Sequence, residues 1–317
     1  MSKTDAITKE YLKEDAHFAD LLNFKFYNGR QVIKPESLHE VDTNLIYNRI
    51  TKAGYSESIL ERIKDIIKKC TIKRDEKSYY VIVGIENQTS IDYTMPIRNY
   101  LTDAIQYTNQ IDDLEKQHKQ NRDLNQDEFI SGISKNDRLI PVITLTVYWG
   151  SDKWNAAKNL HEMLDLDDED ILKYINNYDI NLIEPASIDD FNKFSTELGS
   201  VLEFISISKD KKALRSIVNQ NDDRFTNLSI ESISLINATT GSHIEPEKHT
   251  TPEGGVNMCQ ALQEIIEDEI RERDIIIAEK DNALAEKDNA LAEKDNTIAK
   301  QNAEIASLKK ELEALRA

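Results

Sequence analysis

The chain has 317 residues, enough for one sizeable globular domain with an appendage or for two small domains. Its 58 acidic and 40 basic side chains give a formal net charge of -18, which argues against a protein that coats nucleic acid through bulk positive charge. Two distant cysteines fit no disulfide or zinc spacing, the start is too polar for a signal peptide, and no apolar run approaches about 18 residues. We therefore expect a reduced, cytoplasmic protein without a membrane span.

The first predicted element is an amphipathic helix from Ile7 to Phe26, which ends before an Asn-Gly turn. Asp20 lies late in this helix, where an aspartate is more often a local hydrogen-bonding group than an accessory acid of a functional site. The next segment predicts a short strand at Val32 and Ile33. Asp42 follows as a second possible accessory acid that could equally cap a helix.

A β-hairpin is predicted next, with its turn in the polar run 73–77. The central strand, Tyr79 to Ile85, is short and rich in β-branched and aromatic residues. If the turn has two residues, paired positions sum to 151 and Asp65 lies directly opposite Glu86. Two like charges about 4.5 to 5.5 Å apart at Cβ are destabilising, and a divalent cation between them would remove the repulsion.

The end of the central strand carries an acid and an amide two positions apart. Because side chains alternate along a strand, Glu86 and Gln88 share a face and Asn87 points away. An ordinary solvated strand end remains the alternative, and a one-residue slip would turn Asp65 and Glu86 to opposite faces.

The hairpin is also locally basic. From Arg62 to Lys77 there are seven Lys or Arg residues against three acids, although charged residues on an exposed strand face are common. Lys68 and Lys69 are the candidate contacts to nucleic acid in this stretch.

The remaining elements follow in a clear order. Pro96 starts a long amphipathic helix that runs to about Gln117, and Arg138 to Trp149 predicts a strand buried on both faces. Short helical stretches, the first of them NAAKNLHEMLD at 155–165, and one short strand are predicted from Trp154 to about Leu235. The order of the first part is therefore α-β-β-β-α-β.

The C-terminal part reads as one helix from Met258, with the heptapeptide AEKDNAL at 278–284 and 285–291 and AEKDNTI at 292–298. One apolar seam is clear and its companion is largely lysine, so an oligomerising coiled coil and a solvated single helix both remain open. The predicted parts of the chain are a core at 1–155, a mainly helical extension at 156–237, a linker at 238–257 and the heptad helix at 258–317.

Five fragments occur in an order that resembles a known nuclease core: FADLLN, QVIKPESLHEVDT, KDIIKK, GIENQTSIDYTMPIRNYLTDAIQY and RLIPVITLTVYWGSDKW. The chain resembles the PD-(D/E)XK superfamily, and within it the Rpn-type recombination-promoting nuclease / putative transposase family. The likeness covers residues 15 to 155, continues more loosely to about residue 210 and leaves out the repeat tail.

This resemblance implies a mixed sheet flanked by helices and a Mg²⁺ or Mn²⁺ site. It implies that Asp65 and Glu86 ligate the metal together with the backbone carbonyl of Asn87, and that Gln88 orients the attacking water. Gln88 stands where the superfamily most often has lysine, so it can hydrogen-bond but brings no positive charge. Arg98, Lys68 or Lys69 would have to supply that charge, with Arg98 equally suited to a salt bridge with a nearby aspartate.

The resulting expectation is a Mg²⁺-dependent DNA endonuclease in a recombination, defence or mobile-element setting, acting as a homo-oligomer. The alternative is a weak or inactive relative that binds DNA or assembles through its tail, and a general oligomeric scaffold is a third option.

Overall fold

The structure is a computed structural model that describes residues 2–41, 66–74, 77–220 and 222–316. Asp42 and Asp65, two of the predicted site residues, lie outside the described residues. The chain divides into two compact units, residues 1–261 and 262–317. No described helix has the length and apolar character needed to cross a membrane.

The strands of the described part form one mixed five-stranded sheet. Its strands, in sheet order, are β1 Leu38–Glu40, β2 Ile66–Arg74, β3 Lys77–Gln88, β4 Val142–Tyr148 and β5 Asn181–Ile183. The pairs β1/β2 and β2/β3 are antiparallel, whereas β3/β4 and β4/β5 are parallel. The predicted α/β class is confirmed, and the predicted buried strand is β4, whose residues are almost all buried.

The helices of the described part are α1 Lys3–Lys13, α2 Asp15–Tyr27, α3 Met95–Asn121, α4 Gln126–Ser131, α5 Glu169–Leu172, α6 Leu198–Ile207, α7 Lys211–Gln220, α8 Ile230–Thr240 and α9 Met258–Arg316. Helix α3 begins where predicted because Pro96 suits a first turn, and it ends at Asn121, before Arg122 in the left-handed conformation. Among the described elements, the hairpin, the long helix and the buried strand follow one another as predicted, with the short α4 placed before β4.

The two sheet faces carry different cores. On the face covered by α3, Ile67, Ile82 and Val142 pack with Ile105 of that helix. The opposite face buries residues such as Ile85 of β3 together with Leu145 and Val147 of β4, and it faces the N-terminal helices. β4 is therefore covered on both faces, as is usual for a strand with parallel neighbours.

Two details of the N-terminal region differ from the prediction. The single predicted helix is two helices, because Glu14 adopts an extended conformation between them. Val32 and Ile33 do not form a strand: the Asn23 Oδ1 atom accepts hydrogen bonds from both of their backbone N–H groups, at 3.1 and 2.8 Å. A side chain thus replaces the ladder partner, and the first strand forms later, at β1.

The helix predicted within residues 155–165 is also absent, and only a 3₁₀ turn forms at His161–Met163. Glu162 accepts a hydrogen bond from the Lys158 backbone N–H at 2.7 Å and donates its own N–H to Asn159 Oδ1 at 3.0 Å. These local side-chain bonds compete with helical hydrogen bonding.

The segment 238–257, predicted as a linker from its composition, contributes to the first compact unit. Ile244 and Val256 are buried, and Val256 forms isolated β-bridges with Leu228 and Thr250. Glycine, proline and threonine here make turns within a packed unit, so composition alone did not distinguish a turn-rich segment from a linker.

Helix α9 is continuous through the heptapeptide repeats, as predicted. Its apolar seam is about half exposed at every position that was predicted to form it: Ile277, Leu284, Leu291, Ile298, Ile305 and Leu312.

Candidate active site

The register of the β2/β3 hairpin is the one predicted from the sequence. Pairing runs from Ile66 opposite Ile85 to Arg74 opposite Lys77, so each pair sums to 151. β3 extends to Gln88, and on its other side Glu86 lies next to Thr146 of β4. Strand pairing therefore fixes the position of Glu86 along the sheet, two residues before the end of β3.

Helix α3 covers the sheet face that presents Glu86. The Arg98 Nη2 atom donates to Glu86 Oε2 at 2.8 Å, and Asn99 Nδ2 donates to Thr146 Oγ1 at 2.8 Å. Glu86 is only 3 % exposed. A carboxylate this deeply buried requires hydrogen-bonded or charged partners, because desolvation strongly disfavours an isolated charge.

Arg98 links two carboxylates. Its Nη1 atom donates to Asp92 Oδ2 at 2.6 Å while Nη2 contacts Glu86. Asp92 also accepts hydrogen bonds from the backbone and side chain of Thr94. Burial acts to raise the pKa of Asp92, but the hydrogen bonds from Thr94 and Arg98 outweigh it and hold that pKa below its usual value. Among these three side chains, the two carboxylates outnumber the one guanidinium.

A second buried acid lies one turn further along α3. Asp103 accepts hydrogen bonds from Thr144 Oγ1 at 2.6 Å and from the Tyr178 hydroxyl at 2.7 Å. Burial raises the pKa of Asp103, and these hydrogen bonds offset only part of the rise. The pKa of Tyr178 is also raised, first by burial and then by Asp103. Tyr178 therefore keeps its proton and remains a donor at neutral pH.

Asn99 carries an oxygen atom that could bind a further group between α3 and the sheet. It is fully buried, and within the described residues its Oδ1 atom has no hydrogen-bond partner. An unpaired buried acceptor is costly and suits a cation or a water bound to one. Asn99 contacts Thr146, the strand neighbour of Glu86, and an amide oxygen with a carboxylate fits a hard divalent cation.

The described residues do not by themselves complete a metal site. They contain no group of three or more His, Cys, Asp or Glu side chains that could hold an ion. Asp65, the second predicted carboxylate ligand, is outside them, so the Asp65–Glu86 pair stays a prediction.

The other two residues of the predicted motif lie as the strand period requires. Gln88 is nearly buried and occupies the same face as Glu86, beside Tyr148. Asn87 is on the opposite face, where its Oδ1 atom accepts a hydrogen bond from Trp149 Nε1 at 3.0 Å. Its side chain is thus held away from the Glu86 face, and only its backbone could serve there.

The two candidate lysines are on different faces. Lys68 is 1 % exposed and donates to Asp15 Oδ1 at 2.6 Å, with its ammonium group also over the Phe18 ring. It points toward the N-terminal helices, so its own ammonium group is buried and does not reach DNA. Lys69 shares the Glu86 face and lies 4.6 Å above the Tyr80 ring.

Asp20, one of the possible accessory acids, is held by hydrogen bonds that link two parts of the fold. It is 1 % exposed and accepts hydrogen bonds from the backbone N–H groups and hydroxyls of Ser195 and Thr196, at 2.7 to 3.0 Å. It ties α2 to the turn before α6 and is not part of the Glu86 cluster.

Sequence reasoning did not single out Asn99, Thr144 or Tyr178. The polar residues on the sheet side of α3 were the available signal, because Asn99, Asp103 and Gln106 recur at the spacing of its apolar stripe. Tyr178 carries no comparable signal, since it reaches Asp103 from 75 positions away.

These features define a mixed α/β protein with a buried carboxylate cluster between a sheet and its covering helix. Residues 3–231 match the family described as "Putative transposase, YhgA-like", and the chain belongs to that family. The suspected relationship to the putative transposases is thereby confirmed. Searches of curated proteins and of solved structures gave no match to this chain.

Proposed function

We propose that the chain is a divalent-metal-dependent DNA endonuclease with a PD-(D/E)XK-type core, acting on mobile or recombining DNA. Membership of a transposase-like family supports a role in DNA processing. The α-β-β-β-α-β order and the mixed sheet are compatible with that core.

The observation that carries the proposal is Glu86, a buried carboxylate at a strand end under α3. The β2/β3 register is described up to the pair Ile66 and Ile85. Asp65 precedes that pair in sequence and Glu86 follows it, so the predicted contact of the two acids needs only one further step of the same register.

In this proposal Asp65, Glu86 and the backbone carbonyl of Asn87 hold Mg²⁺ or Mn²⁺. When bound there, the ion would supply a water of lowered pKa and would offset charge that develops on the phosphate. Gln88 orients the water by hydrogen bonding, and Asn99 Oδ1 accepts a hydrogen bond from a second water.

Contacts to DNA come from the same face. Lys69 and Arg98 are the cations retained for this role, since Lys68 is buried on the other side. They act against a chain of net charge -18, so binding is expected to be local and sensitive to salt.

A second candidate function is a DNA-binding or assembly module with little catalysis. Gln88 favours it, because it stands where the superfamily most often has a lysine. Arg98 also favours it, because its guanidinium binds a Glu86 oxygen. Plasmid incubated with the wild-type and Glu86→Ala proteins separates the two functions. Cleavage in Mg²⁺ by the wild type alone supports the nuclease, whereas a gel shift in Ca²⁺ without cleavage in Mg²⁺ or Mn²⁺ supports the binding module.

We also propose that the seam of α9 mediates self-association. Apolar residues at intervals of seven, about half exposed, are typical of a coiled-coil seam that lacks its partner. Sedimentation velocity at micromolar concentration is expected to show an oligomer that a chain truncated before residue 278 does not form; a monomeric full-length chain would contradict the proposal.

A further inference from the structure

Arg98 holds the position that a cation at Glu86 would need. Its guanidinium touches Glu86 Oε2 at 2.8 Å and Asp92 Oδ2 at 2.6 Å, and the side chain is 17 % exposed. Arginine keeps its charge at any working pH, so it remains a cation in this position. Two cations about 4 Å apart repel each other unless the carboxylates between them compensate.

We infer that Arg98 is an exchangeable internal cation: it neutralises Glu86 in the metal-free protein, and a divalent cation displaces it from Glu86 while Asp92 retains it. This inference rests on the proposed function. Arg98 is here a positioning residue that sets the metal affinity of the site.

The unequal surroundings of the two carboxylates give the exchange its direction. Glu86 is 4 % exposed at its side chain and Asp92 is 25 % exposed, so Glu86 has the greater need of a cation. Asp92 is itself fixed by Thr94. Asp92 can therefore anchor the guanidinium after the contact to Glu86 is lost.

The exchange also links metal to DNA. The Nη2 donor released from Glu86 can form a charge-assisted hydrogen bond with a phosphate oxygen, because the guanidinium stays positively charged. Metal and phosphate then favour the same state of Arg98, and each must increase the affinity for the other by an equal factor.

The test is a Mn²⁺ titration by calorimetry, without DNA, of the wild type and Arg98→Gln. We expect Arg98→Gln to bind Mn²⁺ about tenfold more tightly, the size of one charge-assisted hydrogen bond. Glu86→Gln identifies the heat that belongs to this site. Arg138→Gln is the matched control, because Arg138 is exposed and donates to backbone carbonyls only, among the hydrogen bonds described for it.

Asp92→Asn provides a test in the opposite direction that does not depend on the folding of Arg98→Gln. It removes one of the carboxylates that hold Arg98 while the contact to Glu86 remains, so we expect Mn²⁺ to bind about threefold more weakly. In a separate titration with Ca²⁺, a short DNA duplex is expected to increase the Ca²⁺ affinity of the wild type and not that of Arg98→Gln.

The outcomes separate the inference from the proposed function. Equal Mn²⁺ affinity in the wild type, Arg98→Gln and Asp92→Asn, with binding lost in Glu86→Gln, would overturn the role of Arg98 and leave the metal site intact. Absence of Mn²⁺ binding that depends on Glu86 in all of these proteins would overturn the proposed function and, with it, the inference.

Discussion

A Glu86→Ala protein is expected to cleave plasmid DNA in Mg²⁺ at least about a thousandfold more slowly than the wild type. The substitution removes the buried carboxylate that the β3 strand carries under α3, where Arg98 contacts it. Gln88 and Asn99 are neutral and cannot replace its charge, so the ion and its activated water lose a principal ligand.

The control for this experiment is Glu36→Ala, which removes an exposed acid outside the cluster and should leave the rate unchanged. The fluorescence of the chain's two tryptophans, Trp149 and Trp154, reports whether each variant is folded, because both are buried in the first compact unit. Equal cleavage by Glu86→Ala and the wild type would remove Glu86 from the site.

An Asp20→Asn protein is expected to lose about 3 to 5 kcal/mol of unfolding free energy, a large share of the stability of a typical domain. Asp20 accepts from two backbone N–H groups and two hydroxyls around Ser195 and Thr196. Asparagine offers one oxygen in place of two, and its NH₂ group would face donors. Buried donors would then lose their acceptor.

Urea denaturation followed by tryptophan fluorescence measures this loss. The matched control is Asp167→Asn, an exposed aspartate, which should change the unfolding free energy by no more than about 0.5 kcal/mol. A midpoint for Asp20→Asn equal to that of the wild type would show that the hydrogen bonds to residues 195 and 196 are not stabilising, and would reopen a functional role for Asp20.

The elements that sequence reasoning placed well are those specified by local patterns. The polar run 73–77 allowed few turn positions, so the hairpin register followed from a simple sum and is confirmed between Ile66 and Ile85. Pro96 and an apolar stripe specified α3, and the heptapeptide repeat specified α9.

The elements that it misplaced depend on side chains distant in sequence or on local competition. Asn23 holds the backbone at Val32 and Ile33, which prevents the strand that β-branched residues suggested. The partners of Asp20 lie 175 positions away, and nothing in the local sequence indicates them.

Lys68 could have been placed from the predicted register. A sum of 151 pairs Lys68 with Val83, which has the opposite side-chain parity to Glu86, whereas Lys69 pairs with Ile82 on the Glu86 face. The alternation of side chains along a strand thus already predicted that the two lysines lie on opposite faces. They were grouped because the stretch is basic in composition.

The central claim is that Asp65 and Glu86 hold one divalent cation, and a Mg²⁺ titration of stability tests it most directly. A ligand that binds only the native state adds RT ln(1 + [L]/Kd), or about 2.7 kcal/mol at a hundredfold excess over Kd. We predict that Mg²⁺ raises the urea midpoint of the wild type and not that of Asp65→Asn or Glu86→Gln. If Mg²⁺ stabilises all three proteins equally, or does not stabilise the wild type, the shared site is contradicted.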